Sequence, residues 1–276
     1  MNDREKYLFD LQGFLVVKNF LTDDEVARLN EAFDANQDKM GEDRNSNIGS
    51  STTLAGFKRG MFSGMLTWEH PWCEPFRDLL AHPKSVPYLN TIHGRGWRMD
   101  HSPFMLQAEA GAEGLILHDG GYQFGGPTYY TYKNGRIRCG MVVLQFQLAD
   151  INEGDGGFCC IPGSHKANFP TPTAIAEWTM DQDVVYNVPC KAGDLLVFNE
   201  STTHGTLPWR AKHRRRSLLY RYSPKYLHYA GGYHQTTMPE WVDELTPAQR
   251  AVLEPPYVYN RPLIDEDGSI IRPLVG

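Results

Sequence analysis

The sequence predicts a mainly β chain: a cupin-like double-sheet jelly roll with helices from its N-terminal part packed on the barrel. Three observations predict it. From about residue 96 the pattern changes to short β-branched and aromatic runs separated by Gly, Pro, Asn and Asp. Eight such runs follow, too many and too short for a βαβ arrangement. The signals for helix gather instead in the first third of the chain.

Taken in order, GFLVVK (13–18) reads as a short strand. In the following LTDDEVARLNEAFDANQDK, Thr22 and Glu25 form a capping box, and Val26, Leu29 and Phe33 share one helical face. Residues 41–52 (GEDRNSNIGSST) are polar and rich in Gly and Ser, so a mobile loop is expected there. Residues 71–92 suggest two short helices broken near Pro83. The candidate strands are 97–107, 114–118, 136–148, 157–161, 184–189, 194–199, 203–207 and 215–222. Two stretches are expected to fold as lids over the barrel mouth: Asp119–Asn134, rich in Gly and Tyr, and the tail after Tyr229, which carries a capped helix near Thr246–Leu253. The expected organisation is one domain over 1–276, with a helical part to about 95, a jelly-roll core over about 96–229 and a C-terminal lid over 230–276.

Composition narrows the function classes. The 276 residues are 41% hydrophobic and 22% charged, enough to bury a core and enclose a pocket. A net charge of −6 argues against a nucleic-acid polymer as partner. No apolar run suits a membrane span, and the charged start MNDREKYLFDLQ has no leader-like apolar stretch. Cys73, Cys139, Cys159, Cys160 and Cys190 make an odd count without a CxxC pair, so buried thiols in a cytoplasmic protein are expected. Oligomeric state is not legible.

Among ten histidines, spacing singles out two. His118 ends the run GLILH, and His204 follows the strand and turn of AGDLLVFNESTTHG. Arg215 begins the next run, RRSLLYRYSP. Two imidazoles on strand ends suit Fe(II), and an arginine fork suits the far carboxylate of 2-oxoglutarate. Period-two alternation puts Ser217 on the same face as Arg215, and Arg214 and Arg216 on the other.

The sequence at this point resembles the phytanoyl-CoA dioxygenase family of Fe(II)- and 2-oxoglutarate-dependent oxygenases. The resemblance is carried by GFLVVKNFLTDDEVARLNEAF, by DINEGDGGFCCIPGSHKANFP and by GDLLVFNESTTHGTLPW with RRSLLYRYSP, over about residues 10–225. It implies a double-stranded β-helix holding one Fe(II) and one 2-oxoglutarate, with O2 as co-substrate. Carried over by position, His118 and His204 are the iron ligands and Arg215 the 2-oxoglutarate anchor. Thr206 and Ser217 are its hydroxyl partners, and Gln145 is a further contact.

One position departs from the family's His-x-Asp pattern. His118 is followed by Asp119 and Gly120. In an extended segment Asp119 faces away from a metal held by His118, and the carboxylate position falls on Gly120. A site with glycine there resembles the non-haem iron halogenases, in which chloride takes the carboxylate's place. The resemblance thus implies radical chlorination of an aliphatic carbon, with release of succinate and CO2. Alternatives stay open: a hydroxylase in which a bulge brings Asp119 to the metal, recruitment of Glu113 or Glu200, or a non-catalytic ligand-binding jelly roll. The substrate is expected to be a freestanding small metabolite, with a nucleotide or nucleoside as one candidate. Lys58, Arg59 and His101 are the candidate substrate contacts. His165, His213 and Asp155 are expected to be structural or solvated. Trp97, Trp209, Tyr129, Tyr130 and Tyr132 are candidates to cover the cavity.

Overall fold

A computed structural model describes residues 1–119, 126–229 and 238–272. Two antiparallel sheets face each other. The larger runs in the order Phe14–Val17, Leu195–Asn199, Val142–Gln147, Arg215–Ser223, Phe104–Ala108, Gly60–Ser63 and Gly41–Glu42, with Arg98–Met99 also paired to Arg215–Ser223. The smaller runs Tyr186–Asn187, Gly157–Cys160, His204–Leu207 and Leu115–His118. From Phe104–Ala108 onward the chain passes back and forth between the two sheets, staying within one only from Gly157–Cys160 to Tyr186–Asn187, which is the jelly-roll path the strand pattern predicts.

The predicted strands differ from the observed ones where turns interrupt them. The run 97–107 is split into Arg98–Met99 and Phe104–Ala108; between them the Asp100 amide still donates to the Arg221 carbonyl at 2.8 Å, and its carboxylate accepts from Arg98 and His101. The run 136–148 breaks at Gly140, where any Cβ would strike the Pro127 carbonyl. Its first part, Arg136–Cys139, pairs with Tyr130–Lys133 as a separate hairpin. The expected lid Asp119–Asn134 therefore ends in a hairpin strand, and residues 120–125 within it, Gly120 included, lie outside the described residues.

Alternation divides the core. From the strand Arg215–Ser223, Leu218, Tyr220 and Tyr222 point outward to a helical layer, while Leu219 points into the barrel with Leu106, Phe158 and Phe198. The helix Asp23–Ala35, held by the Thr22–Glu25 capping box, packs Leu29, Ala32 and Phe33 onto the outer face. There the Phe33 ring meets Phe62 at 5.0 Å and Phe76 at 4.9 Å, edge to face. The short helices Glu74–Asp78 and Val86–His93 flank Pro83 and join this layer. A first helix, Asp3–Gln12, was not anticipated; its signal was the Asn2–Glu5 capping box. It closes at Gly13 with φ +82°, where a Cβ would collide with Thr202 and His165.

The capped tail helix, Pro247–Leu253, does not cover the mouth. Ala251 and Val252 bury into the same outer core as Trp97 and Tyr222. Residues 230–237 lie outside the described residues. The segment 41–52 is not a plain loop either: Gly41–Glu42 extends the larger sheet, and Asp43 and Ser51 are buried. All five cysteines are buried and unpaired. No helix among the described residues is long and apolar enough to cross a membrane.

Two buried imidazoles outside the barrel make stability pH-dependent. His93, bonded to the Cys139 carbonyl, and His165, bonded to the Asp10 carbonyl, are each pushed by burial from 6.5 to about 4. The unfolded chain takes up these protons first, so the contribution of these two groups to stability is constant above pH about 6.5 and falls as pH drops towards 4. The fully buried His93 accounts for about 3 kcal/mol of that loss. Thermal melts of wild type and His93→Gln across this window check it: the variant's slope is shallower, and an equal slope refutes the assignment.

Candidate metal centre and its cavity

The barrel encloses a cavity of about 550 Å³ between the sheets. His118 and His204 stand on its wall as directly paired residues of neighbouring strands. Their ring centroids are 4.3 Å apart. A register shift makes this possible. His204 pairs with His118, but Thr206 pairs with Leu115, so one extra residue is absorbed between them. The bulge precedes His118 and lets Leu115, Ile116 and His118 all line the cavity. Gly205 sits at its centre; a Cβ there would lie 2.7 Å from the Leu115 carbonyl oxygen.

The two imidazoles are held in the same tautomer. Nδ1 of His118 donates to the Ile116 carbonyl at 3.1 Å, and Nδ1 of His204 to the Thr202 carbonyl at 2.7 Å. Each ring thereby keeps its Nε2 lone pair for another partner. Burial, and then the neighbouring His118, push His204 down to about 4, so the ring is neutral near pH 7. Glu200 completes the group. Its Oε1 lies 4.0 Å from His204 Nε2, and its Oε2 is buried without a hydrogen-bond partner among the described residues. Burial opposes ionisation of Glu200, but the attraction of His204, Arg221, His118 and His101 outweighs it and lowers its pKa.

Asp119 does not join them. Its Oδ2 accepts from Thr203 Oγ1 at 3.1 Å, and it lines a separate recess with Ser164, His165 and Thr203. Glu113 is also elsewhere, paired with Lys58 at 2.7 Å.

Arg215 enters the same cavity from the larger sheet. Burial, then the nearby Arg59 guanidinium, push Arg215 down to about 9, so a buried anion beside it is favoured. Its Nε donates to Ser217 Oγ at 3.2 Å, and Ser217 donates on to Gln147 at 2.9 Å. Ser217 thus shares the face of Arg215, but its hydroxyl proton is already given to Gln147. Its oxygen braces the guanidinium of Arg215. Thr206 lines the cavity, as does Gln145, whose buried Nε2 has no hydrogen-bond partner among the described residues. Arg214 is outside, on Glu109 at 2.6 Å. Arg216 is outside the barrel but not solvated: it is buried against Gln107, Asn30 and Asp34.

The candidate substrate contacts separate. Arg59 lines the cavity in a buried pair with Asp43 at 2.7 Å, and its Nη1 has no hydrogen-bond partner among the described residues. Lys58, its neighbour, pairs with Glu113 and does not line the cavity. His101 lines the cavity, with Nδ1 on Asp100 at 2.9 Å and Nε2 accepting from Arg221 at 3.1 Å. Of the aromatics, Trp97 and Trp209 belong to cores outside the cavity. The Tyr130 hydroxyl donates to Asp10, and its ring packs on His165 at 4.7 Å. Asp43 and Arg221 were missed. Arg221 was legible, because it continues the alternation of Arg215, Ser217 and Leu219.

The profile of the phytanoyl-CoA dioxygenase (PhyH) family matches residues 9–217. The chain belongs to that family. It is therefore an enzyme of the Fe(II)- and 2-oxoglutarate-dependent oxygenase type. Among solved structures it is similar to HygX from Streptomyces hygroscopicus with nickel and 2-oxoglutarate bound, at 23% identity and a TM-score of 0.67, over 86% of this chain and 92% of that one. AviO1 from Streptomyces viridochromogenes Tue57 is similar at 16% identity and a TM-score of 0.57, over 80% and 93%. SnoN, the non-haem α-ketoglutarate-dependent epimerase from nogalamycin biosynthesis, is similar at 18% and 0.56, over 81% and 83%. At these identities the likeness shows the shared jelly roll. No curated protein matches the chain.

Gly205→Ala tests the bulge. Overpacking a buried backbone contact costs about 1–3 kcal/mol and separates the histidine-bearing strands. The expected result is a lower melting temperature together with weaker Mn(II) binding in calorimetry; unchanged values for both would remove Gly205 from the account.

Proposed function

We propose that this enzyme hydroxylates an aliphatic C–H bond of a small polar metabolite, using Fe(II), 2-oxoglutarate and O2. The observation that carries the reading is one cavity lined both by two imidazoles with free Nε2 lone pairs and by the buried guanidinium of Arg215. The donor set fits the metal: neutral nitrogens beside a buried, ionised carboxylate suit Fe(II) and leave positions open. His118 and His204 would hold the iron, and Arg215 would receive the distal carboxylate of 2-oxoglutarate. Bound there, the iron supplies the activation of O2 that couples loss of CO2 from 2-oxoglutarate to oxidation of the C–H bond. The balanced reaction takes substrate R–H, O2 and 2-oxoglutarate to R–OH, succinate and CO2.

The chain's own residues divide the remaining work. Ser217 and Gln147 hold the Arg215 fork in one orientation, and Thr206 and Gln145 offer polar atoms to the co-substrate. Asp100 orients His101, whose Nε2 accepts a hydrogen bond from Arg221, and that cation lies over Phe104, 4.5 Å from the ring centroid. Asp43, Asn45 and Asn47 add hydrogen-bonding groups at the cavity wall, which suits a hydroxylated or amide-bearing substrate. HygX is known with hygromycin B bound, a precedent in this fold for a polar small molecule. A nucleotide draws less support, because Lys58 does not line the cavity and Arg59 is paired with Asp43.

Chlorination is the second reading, and Gly120 in the sequence is the observation that favours it. It would take R–H, chloride, a proton, O2 and 2-oxoglutarate to R–Cl, water, succinate and CO2. Hydroxylation is preferred because the ionised carboxylate of Glu200 beside the imidazoles repels a second anion.

The test is anaerobic loading of the full chain with Fe(II) and 2-oxoglutarate, then exposure to O2 with succinate measured. Succinate release supports the reading, and its absence together with no 2-oxoglutarate binding overturns it. Product masses raised by one oxygen, without a chlorine isotope pattern at high chloride, identify hydroxylation. Among the adjacent arginines, Arg215→Ala weakens 2-oxoglutarate binding at least tenfold, or about 1.4 kcal/mol. Arg214→Ala leaves it within twofold, and Arg216→Ala lowers the melting temperature instead, because it breaks a buried network. Equal weakening by all three removes the Arg215 assignment.

A further inference from the structure

We propose that Glu200 supplies the third protein ligand to the iron, in place of a carboxylate two residues after His118. This rests on the functional reading above and specifies its metal centre. Among the described residues, His118, Glu200 and His204 form a group whose ligand atoms all lie within 4.8 Å of one another. Together they offer two neutral nitrogens and one carboxylate.

The internal electrostatics of the group call for a cation. Both Nδ1 protons are committed to backbone carbonyls, so the Nε2 atoms present lone pairs. One Glu200 oxygen is 4.0 Å from His204 Nε2, and the other is buried with no donor among the described residues. Among the described residues that buried oxygen has no hydrogen-bond donor, and both imidazoles turn an uncommitted nitrogen to the same point, so a dication between the three gives each ligand atom a partner.

The local chain is built to hold Glu200 there. Its amide donates to the Met141 carbonyl at 3.1 Å, tying it to the turn before Val142–Gln147. Asn199 then closes the turn, its Oδ1 accepting from the Ser201 amide at 3.2 Å and its carbonyl from the Thr202 amide at 2.9 Å. That turn brings Glu200 and His204 to the same end of the barrel. The other nearby carboxylates are occupied: Asp43 by Arg59, Glu113 by Lys58, and Asp119 by Thr203 in a different recess.

Mn(II) calorimetry on the full chain tests the assignment without turnover. Glu200→Gln and Glu200→Ala each weaken Mn(II) binding at least tenfold, while Asp119→Asn stays within twofold. Added acetate restores part of the affinity of Glu200→Ala but not of Glu200→Gln, whose amide still fills the space; a purely structural role gives no such rescue. Wild-type affinity in Glu200→Ala, or a loss in Asp119→Asn equal to that of Glu200→Gln, overturns the proposal. If the Glu200 variants do not fold, crystals of the unsubstituted chain grown with Mn(II) decide: a Glu200 oxygen at bonding distance supports it, and water or Asp119 in that place overturns it. Wild-type protein that takes up no Mn(II), or His118→Ala and His204→Ala variants that bind it normally, would instead defeat the functional reading itself.

Discussion

Two backbone carbonyls, those of Ile116 and Thr202, govern the chemistry of this site. Each accepts a hydrogen bond from Nδ1–H of an imidazole two residues along its own chain. A free imidazole exchanges its proton between nitrogens, but these two are fixed with their Nε2 lone pairs unengaged. The fixed tautomers depend on the strands, and the strands depend on the bulge that pairs His204 with His118 and Thr206 with Leu115. Gly205 permits that bulge because no Cβ stands between it and the Leu115 carbonyl. The chain of cause runs from one missing methyl group, through strand register, to the direction of two lone pairs.

The strand Arg215–Ser223 carries a second constraint, because it serves two cores at once. Arg215 and Arg221 face the cavity, whereas Arg216 faces the helix Asp23–Ala35 and is buried against Asn30 and Asp34. Three cations line the cavity, but they are not equivalent. Arg59 is neutralised by Asp43 at 2.7 Å, and Arg221 is engaged by His101 and lies over Phe104. Arg215 has a neutral serine as its hydrogen-bond partner and a like charge nearby. An anion in this cavity gains most beside Arg215, which is where the distal carboxylate of the proposed co-substrate would sit.

The fold was legible because its signals are local. Capping boxes at Thr22 and Thr246, period-two runs and turn residues are each written within a few positions, and each marks an element that forms. The failures share a different cause. Residues 41–52 look like a free loop, yet Asp43 is buried because Arg59, far along the chain, needs its charge. Ser217 was placed on the correct face of its strand, but its partner Gln147 lies across the sheet, and that pairing redirects the hydroxyl. The tail helix was legible as a helix, while its destination was set by Trp97 and Tyr222. Periodicity tells which face a side chain takes; it does not tell which distant residue waits there.

Glu200 is the sharpest instance of that limit. The pleat argument about Asp119 and Gly120 treats the carboxylate as a property of one strand, because the family writes it two residues after its first histidine. A metal, however, senses only the charge and direction of its donors. Two neutral imidazoles and one carboxylate form the same donor set whether the carboxylate comes from the segment after His118 or from the turn before His204. With Glu200 as ligand, glycine at 120 no longer implies an empty coordination position, and chloride loses its place in the chemistry. Moving the carboxylate also moves a constraint: the segment after His118 is relieved of a ligand's duties, and the turn Asn199–Thr203 takes them up. The buried environment of that turn, tied to Met141 on one side and to the recess of Asp119 on the other, is what such a transfer requires.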